Sequence, residues 1–216
     1  MPKSLVLIGS GGHAKSVTSV AASCGYDVIA YVDDDKVGEY IFETPVISTN
    51  ECEQKYSSCN FSIAIGDNAI RERVATEYKV KFPKAKFPIL IHKSCIVDSH
   101  SVISEGSVLM PLSNIGPDCH IGCFCIINTH SSVDHDSIIN DYASLAPGVM
   151  LGGSVSVGAR SSISIGSAIQ HNLTIGQDVV IGANSYVNSV IEDSVVAYGS
   201  PCKKIRRRKK FDPYLD

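Results

Sequence analysis

A histidine between two aspartates, at Asp134, His135 and Asp136, is the part of the sequence best suited to acid–base chemistry. An unperturbed histidine titrates at about pH 6.5, which suits proton transfer at neutral pH. A neighbouring carboxylate favours the charged form of the ring and raises its basicity. The residues therefore allow a general base at His135. The alternative is a surface histidine with no catalytic role.

A second group of residues has the layout of a nucleotide site. The apolar run 4–8 is typical of a buried strand and leads into the glycine-rich segment 9–14, after which residues 15–24 are predicted to form a helix. A second strand is predicted over 26–32 and ends in three aspartates at 33–35. Backbone N–H groups of such a loop can face phosphate, and a carboxylate after the second strand can accept hydrogen bonds from ribose or base.

The size of this first segment indicates which nucleotide to expect. Residues 1–90 contain one further strand candidate at 61–66 and a helix-like stretch from 68 to 79. These are fewer strands than a redox dinucleotide fold requires. A glycine-rich turn alone is also compatible with a purely structural loop. Together with the aspartates, the small size favours a nucleotide sugar over NAD(P).

Beyond residue 95 the chain follows a period of six residues. Every sixth position from 115 to 187 is Ile, Leu or Val, and small or apolar side chains such as Cys119 and Cys125 recur four positions later. This period predicts a short strand and a corner every six residues, with the aliphatic side chain stacked inside. Three such units close one triangular coil, which gives a solenoid of about five coils. His135 follows the inward Val133 by two residues and is therefore predicted to point outward.

Composition argues against several classes of protein. The net charge of −3 does not favour a nucleic-acid-binding surface. The sequence has no run of about 18 apolar residues, so no membrane span is predicted. The first residues lack a signal-peptide pattern, so a cytoplasmic location is predicted. The basic cluster within 203–210 is either a solvated tail or a clamp for an anionic ligand.

No metal site is predicted from the eight cysteines. The closest set, Cys119, Cys123 and Cys125, lacks the paired Cys-x2-Cys spacing of structural zinc sites. Cys119 and Cys125 are explained instead as small residues of the solenoid wall.

Four segments carry a resemblance to a known family, namely 9–13, 64–68 with Arg71, 128–136 and 196–203. The chain resembles the hexapeptide-repeat sugar O/N-acyltransferase family (sialic-acid O-acetyltransferase-like), most of all the bacterial UDP-4-amino-sugar N-acetyltransferases of bacillosamine-type pathways. The resemblance implies an α/β N-terminal nucleotide-binding (Rossmann-like) domain followed by a left-handed parallel β-helix of hexapeptide repeats. The implied parts are a UDP-sugar-binding domain over 1–90, an acetyltransferase domain over 91–205 and a basic C-terminal tail over 206–216.

The resemblance also implies roles for individual residues. His135 is the general base and Asp136 is the carboxylate beside it. Acetyl-CoA lies along the outside of the β-helix between neighbouring subunits, next to Ser144, Gly153, Ile165 and Lys203. The Gly153 N–H faces the developing oxyanion, and Lys203 meets the CoA phosphates. The sugar nucleotide contacts Gly11, Gly12, His13, Asp33, Asp34 and Gly66.

The predicted function is acetyl-CoA-dependent N-acetylation of the C4 amine of a UDP-linked amino-deoxy sugar. The transfer is direct, without an acyl-enzyme, and the protein is predicted to be a homotrimer with active sites between subunits. Two alternatives stay open: an O-acetyltransferase of a sugar hydroxyl of the sialic-acid type, and a non-catalytic scaffold that binds sugar nucleotides. A further histidine, His171, is predicted to be a surface residue.

Overall fold

The apolar runs near the start of the chain form the centre of a five-stranded sheet. The computed structural model describes residues 2–209, 212 and 214. Its first sheet has the strand order β3-β4-β2-β1-β5, and all neighbours are parallel except β3 and β4. The strands are β1 (Lys3–Ile8), β2 (Tyr26–Val32), β3 (Tyr40–Ile41), β4 (Thr44–Ile47) and β5 (Asn60–Ile63). The helices are α1 (Gly12–Ser23), α2 (Thr49–Tyr56) and α3 (Asn68–Lys81).

The first helix begins earlier than the sequence predicted. The prediction started it at Lys15, whereas α1 begins at Gly12 with Gly11 as its N-cap residue. The end of the glycine-rich segment is therefore the first turn of α1. The backbone N–H groups of this turn point out of the N-terminal end of the helix, towards the rest of the loop. A helix N-terminus of this kind favours negative charge.

The second part of the chain winds into a parallel β-helix with three faces. Strands pair with the strands of the next coil at a spacing of eighteen residues, as Asn114 does with Ser132. The first face contains β7 (Ile96–Val97), β10 (Asn114–Ile115), β13 (Ser132–Val133), β16 (Met150–Leu151), β19 (Ala168–Ile169) and β22 (Tyr186–Val187). The second contains β8 (Val102–Ile103), β11 (His120–Ile121), β14 (Ile138–Ile139), β17 (Ser156–Val157) and β20 (Thr174–Ile175). The third contains β6 (Leu90–Ile91), β9 (Val108–Leu109), β12 (Ile126–Ile127), β15 (Ser144–Leu145), β18 (Ser162–Ile163), β21 (Val180–Ile181), β23 (Val195–Tyr198) and β24 (Lys203–Arg207).

The six-residue series fills the interior of this β-helix. Every aliphatic residue of the series from Ile115 to Val187 is buried in one continuous core. Small residues at the corners join adjacent coils: the Ser161 hydroxyl donates to the Gly176 carbonyl at 2.6 Å and accepts from the Val179 N–H at 2.9 Å. A larger side chain at such a position would lose both hydrogen bonds and crowd the wall.

The N-terminal domain packs through α1 against β6 and β9 of the third face, and through α3 against the edge where the second face meets the third. We call this the docking edge, and it consists of Phe124, Tyr142, Arg160 and Asp178, which occupy the same place in successive coils. The Phe124 and Tyr142 rings are stacked at 5.5 Å. Arg160 donates to Asp178 at 2.8 and 2.7 Å and reaches Glu72 of α3 at 2.9 Å.

Arg71 of α3 holds the two domains together at this edge. Its side chain is buried, and all five of its N–H groups have acceptors between 2.6 and 3.0 Å. The acceptors are the backbone carbonyls of Ile65, Gly66, Phe124 and Tyr142 and the Asn68 side-chain oxygen. A single guanidinium thereby fixes the loop at Gly66 relative to the β-helix.

The basic segment at the end of the chain contributes to a strand and to the buried part of the protein. Arg206 and Arg207, the first two residues of the predicted tail, belong to β24, which pairs antiparallel with β23. Arg208 is buried. Residues 210, 211, 213, 215 and 216 of the predicted tail lie outside the described residues. None of the helices in the described part of the chain has the length and apolar character that a membrane span requires.

Candidate active site

His135 lies at a second edge of the β-helix, where the first face meets the second. We call this the histidine edge, and it consists of His135, Gly153 and His171, which occupy the same place in three successive coils. His135 and His171 are exposed, as predicted for both. A β-carbon at Gly153 would lie 2.4 Å from Cε1 and Nε2 of His135. The imidazole therefore rests directly on Gly153, and a side chain at this position would push it away.

The hydrogen bonds of His135 leave one ring nitrogen available for a substrate. Its Nδ1 lies 2.7 Å from Oδ2 of Asp136, and its backbone N–H donates to Asp134 at 2.8 Å. A carboxylate accepts the Nδ1 proton, so the neutral ring presents an unprotonated Nε2. The hydrogen bond to Asp136, followed by the charge of Asp134, raises the pKa of His135 above its usual value.

The predicted sugar-nucleotide residues surround one cavity in the N-terminal domain. This large cavity has a volume of about 630 Å³ and is lined by Gly11, Gly12, His13, Asp33, Asp34 and Gly66, among others. Chain segments that are far apart in sequence meet here because β1, β2 and β5 are neighbouring parallel strands. Their carboxyl ends open at the same edge of the sheet, where ligands of open α/β sheets usually bind.

The two aspartates of the large cavity are held in fixed orientations. Asp33 accepts a hydrogen bond from the Ser10 hydroxyl at 2.5 Å. Asp34 accepts from the backbone N–H and the hydroxyl of Thr49, at 2.8 and 2.7 Å, and these bonds lower the pKa of its carboxyl. Asp34 is therefore a charged acceptor at neutral pH. Ser10 and Thr49 position the two side chains.

His13 is the titratable side chain of the glycine-rich segment, and it is partly buried. Burial, followed by the positive charge of Arg71, lowers the pKa of His13 to about 4. Its Nε2 is buried and has no hydrogen-bond partner among the described residues. His13 is thus a neutral imidazole at physiological pH, and it lines two cavities at once.

A small cavity of about 280 Å³ connects the loop to the third face of the β-helix. It shares His13 and Gly66 with the large cavity and is also lined by Ser144. The Ser144 hydroxyl lies 3.4 Å from that of Ser162. This cavity lies between the two domains.

The four residues predicted beside acetyl-CoA do not meet within one chain. Ser144 lies on the third face and Gly153 at the histidine edge. Ile165 is 53 % exposed at the edge between the third and first faces, and Lys203 is exposed in β24. The histidine edge is opposite the third face, and the core around Val133 and Leu145 separates them. His135 therefore cannot reach a ligand in the small cavity of its own chain.

Several lining residues were not predicted from the sequence. Thr49 and Tyr78 line the large cavity, and Asn128, Ser162 and Tyr214 line the small one. Asn128 lies within a segment quoted for the resemblance, so this position could have been found. The described residues contain no group of three or more His, Cys, Asp or Glu side chains placed to hold a metal ion.

Comparisons with known proteins cover both domains. The model of the PglD N-terminal domain family matches residues 4–78. The UDP-N-acetylbacillosamine N-acetyltransferase of Bacillus subtilis (strain 168) is 34 % identical over 113 residues, which are 50 % of this chain and 51 % of that protein. The chain spans about half the length, or less, of the curated relatives it matches.

A solved structure extends the match to nearly the full chain. A variant of perosamine N-acetyltransferase from Caulobacter crescentus, in complex with CoA and GDP-perosamine, is 33 % identical with a TM-score of 0.88. The match covers 94 % of this chain and 97 % of that one. The chain belongs to the sugar N-acetyltransferase family. The acetyltransferase domain of PglB from Neisseria gonorrhoeae FA1090, in complex with acetyl coenzyme A, has the same TM-score at 29 % identity and covers 95 % of this chain and 100 % of that one.

Membership of the sugar N-acetyltransferase family confirms the resemblance stated from the sequence. The predicted class of fold is confirmed as an N-terminal α/β domain followed by parallel sheets wound into a β-helix. The roles of individual residues stay predictions.

Proposed function

We propose that this protein transfers the acetyl group of acetyl-CoA to the C4 amine of a nucleotide-linked amino-deoxy sugar, with UDP as the nucleotide. One observation carries the proposal: the large cavity is lined by both the glycine loop and two oriented aspartates. The similar structure that matches nearly the full chain was solved in complex with CoA and a sugar nucleotide. The N-terminal domain is proposed to be Rossmann-like and the β-helix left-handed, as in the family.

The proposed chemistry is direct transfer with His135 as general base. The neutral amine attacks the thioester carbonyl. As the N–C bond forms, Nε2 of His135 takes a proton from the amine nitrogen. The tetrahedral intermediate collapses, the C–S bond breaks and CoA leaves as a thiolate that is then protonated. Asp136 and Asp134 stabilise the imidazolium that forms. The backbone N–H of Gly153 is proposed to face the oxyanion.

The proposed active site is shared between copies of the chain in a homotrimer. His135 and the small cavity lie on opposite sides of one β-helix, so a neighbouring copy must supply the histidine to each cavity. Apolar side chains on the outer faces also remain exposed, with Ile138 at 45 % and Met150 at 56 %. Burial against neighbouring copies would remove them from water. Ser144, Ile165 and Lys203 would then approach Gly153 of the next copy along the proposed CoA groove.

Mass spectrometry of the sugar product tests this function directly. Purified protein is mixed with acetyl-CoA and a panel of 4-amino sugars linked to UDP, GDP and dTDP, together with free sialic acid. We expect a gain of one acetyl group on a UDP-linked sugar and a loss of about 10²–10⁴ in rate in His135→Ala. Acetylation of a GDP-linked sugar instead would correct the nucleotide, and acetylated sialic acid would replace N-transfer by O-transfer.

The chain provides a matched control for the histidine. His100 is also exposed, its Nδ1 lies 2.9 Å from Asp98, and this hydrogen bond raises the pKa of His100. His100 does not line the cleft that contains His135 and Gly153. His100→Ala should keep full activity, and equal losses in both variants would refute a specific role for His135.

Mixed assemblies test the shared site. Asp33→Ala should impair nucleotide binding and His135→Ala should impair chemistry, so each variant alone should have little activity. When the two are co-expressed, some sites combine an intact Asp33 from one copy with an intact His135 from another. We expect partial recovery of activity, and a mass of three times the 23.1 kDa chain in light scattering. No recovery in mixed trimers would place both residues in one chain's site.

A further inference from the structure

One wall of the small cavity comes from the segment that follows the last strand. The ring of Tyr214 lines this cavity together with His13, Gly66 and Ser144. Its hydroxyl accepts a hydrogen bond from the Asn68 N–H at 3.0 Å and lies 3.5 Å from the Gly66 carbonyl, to which it can donate. Tyr214 is thus tied to the loop that bounds the large cavity, although it lies 146 residues from Asn68 in the sequence.

Buried contacts hold this tyrosine in place. Arg208 is 6 % exposed and lies 5.3 Å from the centre of the Tyr214 ring, a distance typical of a cation–π contact. The Arg208 guanidinium donates to the backbone carbonyls of Asp178 at 3.2 Å and Asp212 at 2.5 Å. Asp212 in turn accepts from the Lys209 N–H at 3.0 Å. Arg208 thereby joins Asp178 of the docking edge to the Tyr214 ring, which lines the small cavity.

The position of the small cavity indicates what fills it. His13 and Gly66 line both cavities, so a ligand whose base and phosphates occupy the large cavity continues into the small one. The small cavity has an apolar side, at Ile126, Leu145 and Pro147, and polar groups at Asn128, Ser144 and Ser162. A deoxy sugar ring has the same mixed character, with C–H groups on its faces and hydroxyl and amino groups at its rim. An aromatic ring packs well against such a C–H face.

We propose that Tyr214 is a specificity-determining residue for the sugar, because its ring forms the wall against which the sugar of the nucleotide-linked substrate packs. This inference rests on the proposed function. Its hydrogen bonds to the loop hold the ring in place, and the ring itself contacts the substrate. Tyr214, which follows the last strand, thereby selects the sugar, while the residues of the large cavity bind the nucleotide.

Binding measurements on the full-length chain separate a role in sugar recognition from a role in folding. Calorimetric titration compares UDP- and GDP-linked 4-amino sugars with free UDP and GDP in the wild type, Tyr214→Ala and Tyr214→Phe. We expect Tyr214→Ala to weaken binding of the sugar nucleotide at least tenfold, while the Kd of the free nucleoside diphosphate changes less than twofold. Tyr214→Phe keeps the ring and should stay within about threefold of the wild type for both ligands.

Tyr26→Ala is the matched control, since Tyr26 is also half-buried with a lysine 5.9 Å from its ring centre and lines neither cavity. It should leave both affinities unchanged. Equal weakening of the sugar nucleotide and the free diphosphate in Tyr214→Ala would show a purely structural role and overturn the proposal, as would no change in either. Kinetic assays of the same variants should show the effect in KM for the sugar nucleotide and not in KM for acetyl-CoA.

The two proposals fail in distinguishable ways. A wild-type chain that acetylates no acceptor in the panel would overturn the proposed function. The difference in binding between sugar nucleotide and free diphosphate would still test whether the Tyr214 ring contacts the sugar. An active wild type with an unchanged Tyr214→Ala would overturn only the role of Tyr214.

Discussion

The docking edge and the histidine edge are built by the same repeat and differ in what covers them. At the docking edge, α3 covers the corner residues, Arg160 is paired with two carboxylates and the Arg71 guanidinium is saturated with acceptors. At the histidine edge, the side chain of His135 is 53 % exposed, bonds to Asp136 of its own corner and rests on Gly153 of the next coil. The repeat sets where each side chain lies, and the covering element decides whether it stabilises the fold or stays free to react.

Removing Arg71 should break the docking edge. Arg71→Met leaves buried carbonyl groups without donors, and we expect it to lower the free energy of unfolding by about 3–5 kcal/mol. Urea unfolding measures this loss. Arg73→Met, on the same helix and exposed, should change the free energy by less than about 0.5 kcal/mol. Equal effects of the two substitutions would contradict a specific role for Arg71.

The burial of His13, together with the nearby charge of Arg71 at the docking edge, also makes the fold sensitive to acid. The pKa of His13 is about 4 in the folded protein and about 6.5 in the unfolded chain, so the unfolded chain takes up the proton first. Stability is therefore lost as the pH falls from about 6.5 to about 4, by an amount on the order of 3 kcal/mol. His13→Gln should remove this part of the loss. Unfolding free energies of the wild type and His13→Gln, measured at several pH values, test this. Parallel curves of unfolding free energy against pH for the two proteins would contradict it.

A methyl group at Gly153 should break the histidine edge while leaving the docking edge intact. Because a β-carbon there would overlap the His135 ring, Gly153→Ala is expected to displace the base. We expect kcat to fall about 100-fold, within the range for the loss of general-base catalysis, with little change in unfolding free energy. A matched control is Gly25→Ala, which has open space around its α-carbon although its φ of +77° strains any side chain. It should reduce stability and leave kcat unchanged.

The smallest expected effect concerns the carboxylate next to the base. Asp136→Asn removes the charge that helps to raise the pKa of His135, so the histidine should lose its proton at lower pH. Since the neutral ring is the active base, the acidic limb of the kcat/KM profile should move towards lower pH, with kcat reduced about tenfold. The pH profile of the variant measures this. If the acidic limb of the kcat/KM profile does not move, that limb reports the titration of a group other than His135.

The six-residue period was sufficient to predict the β-helix and the outward direction of His135, because each position depends on local spacing alone. It did not predict the β3–β4 hairpin. The turn residues Phe42 and Glu43 have φ of 48° and 65°, where glycine or asparagine would normally signal a turn. The hydrogen bonds between Asp34 and Thr49 could be predicted only once the position of α2 was known. No local sequence pattern links Tyr214 to Gly66. Contacts between distant segments depend on how the domains pack, which spacing does not encode.

The eighteen-residue coil also has a genetic consequence. Each coil pairs with its neighbours only, so the loss or duplication of eighteen codons within the repeat would leave every remaining corner in line with the one below it. An in-frame change that is not a multiple of eighteen codons would rotate the later corners around the axis, and one that falls between residues 135 and 153 would move His135 away from Gly153. Length variation among homologous genes should therefore occur in whole coils, and it should spare the coils that carry residues 135 and 153.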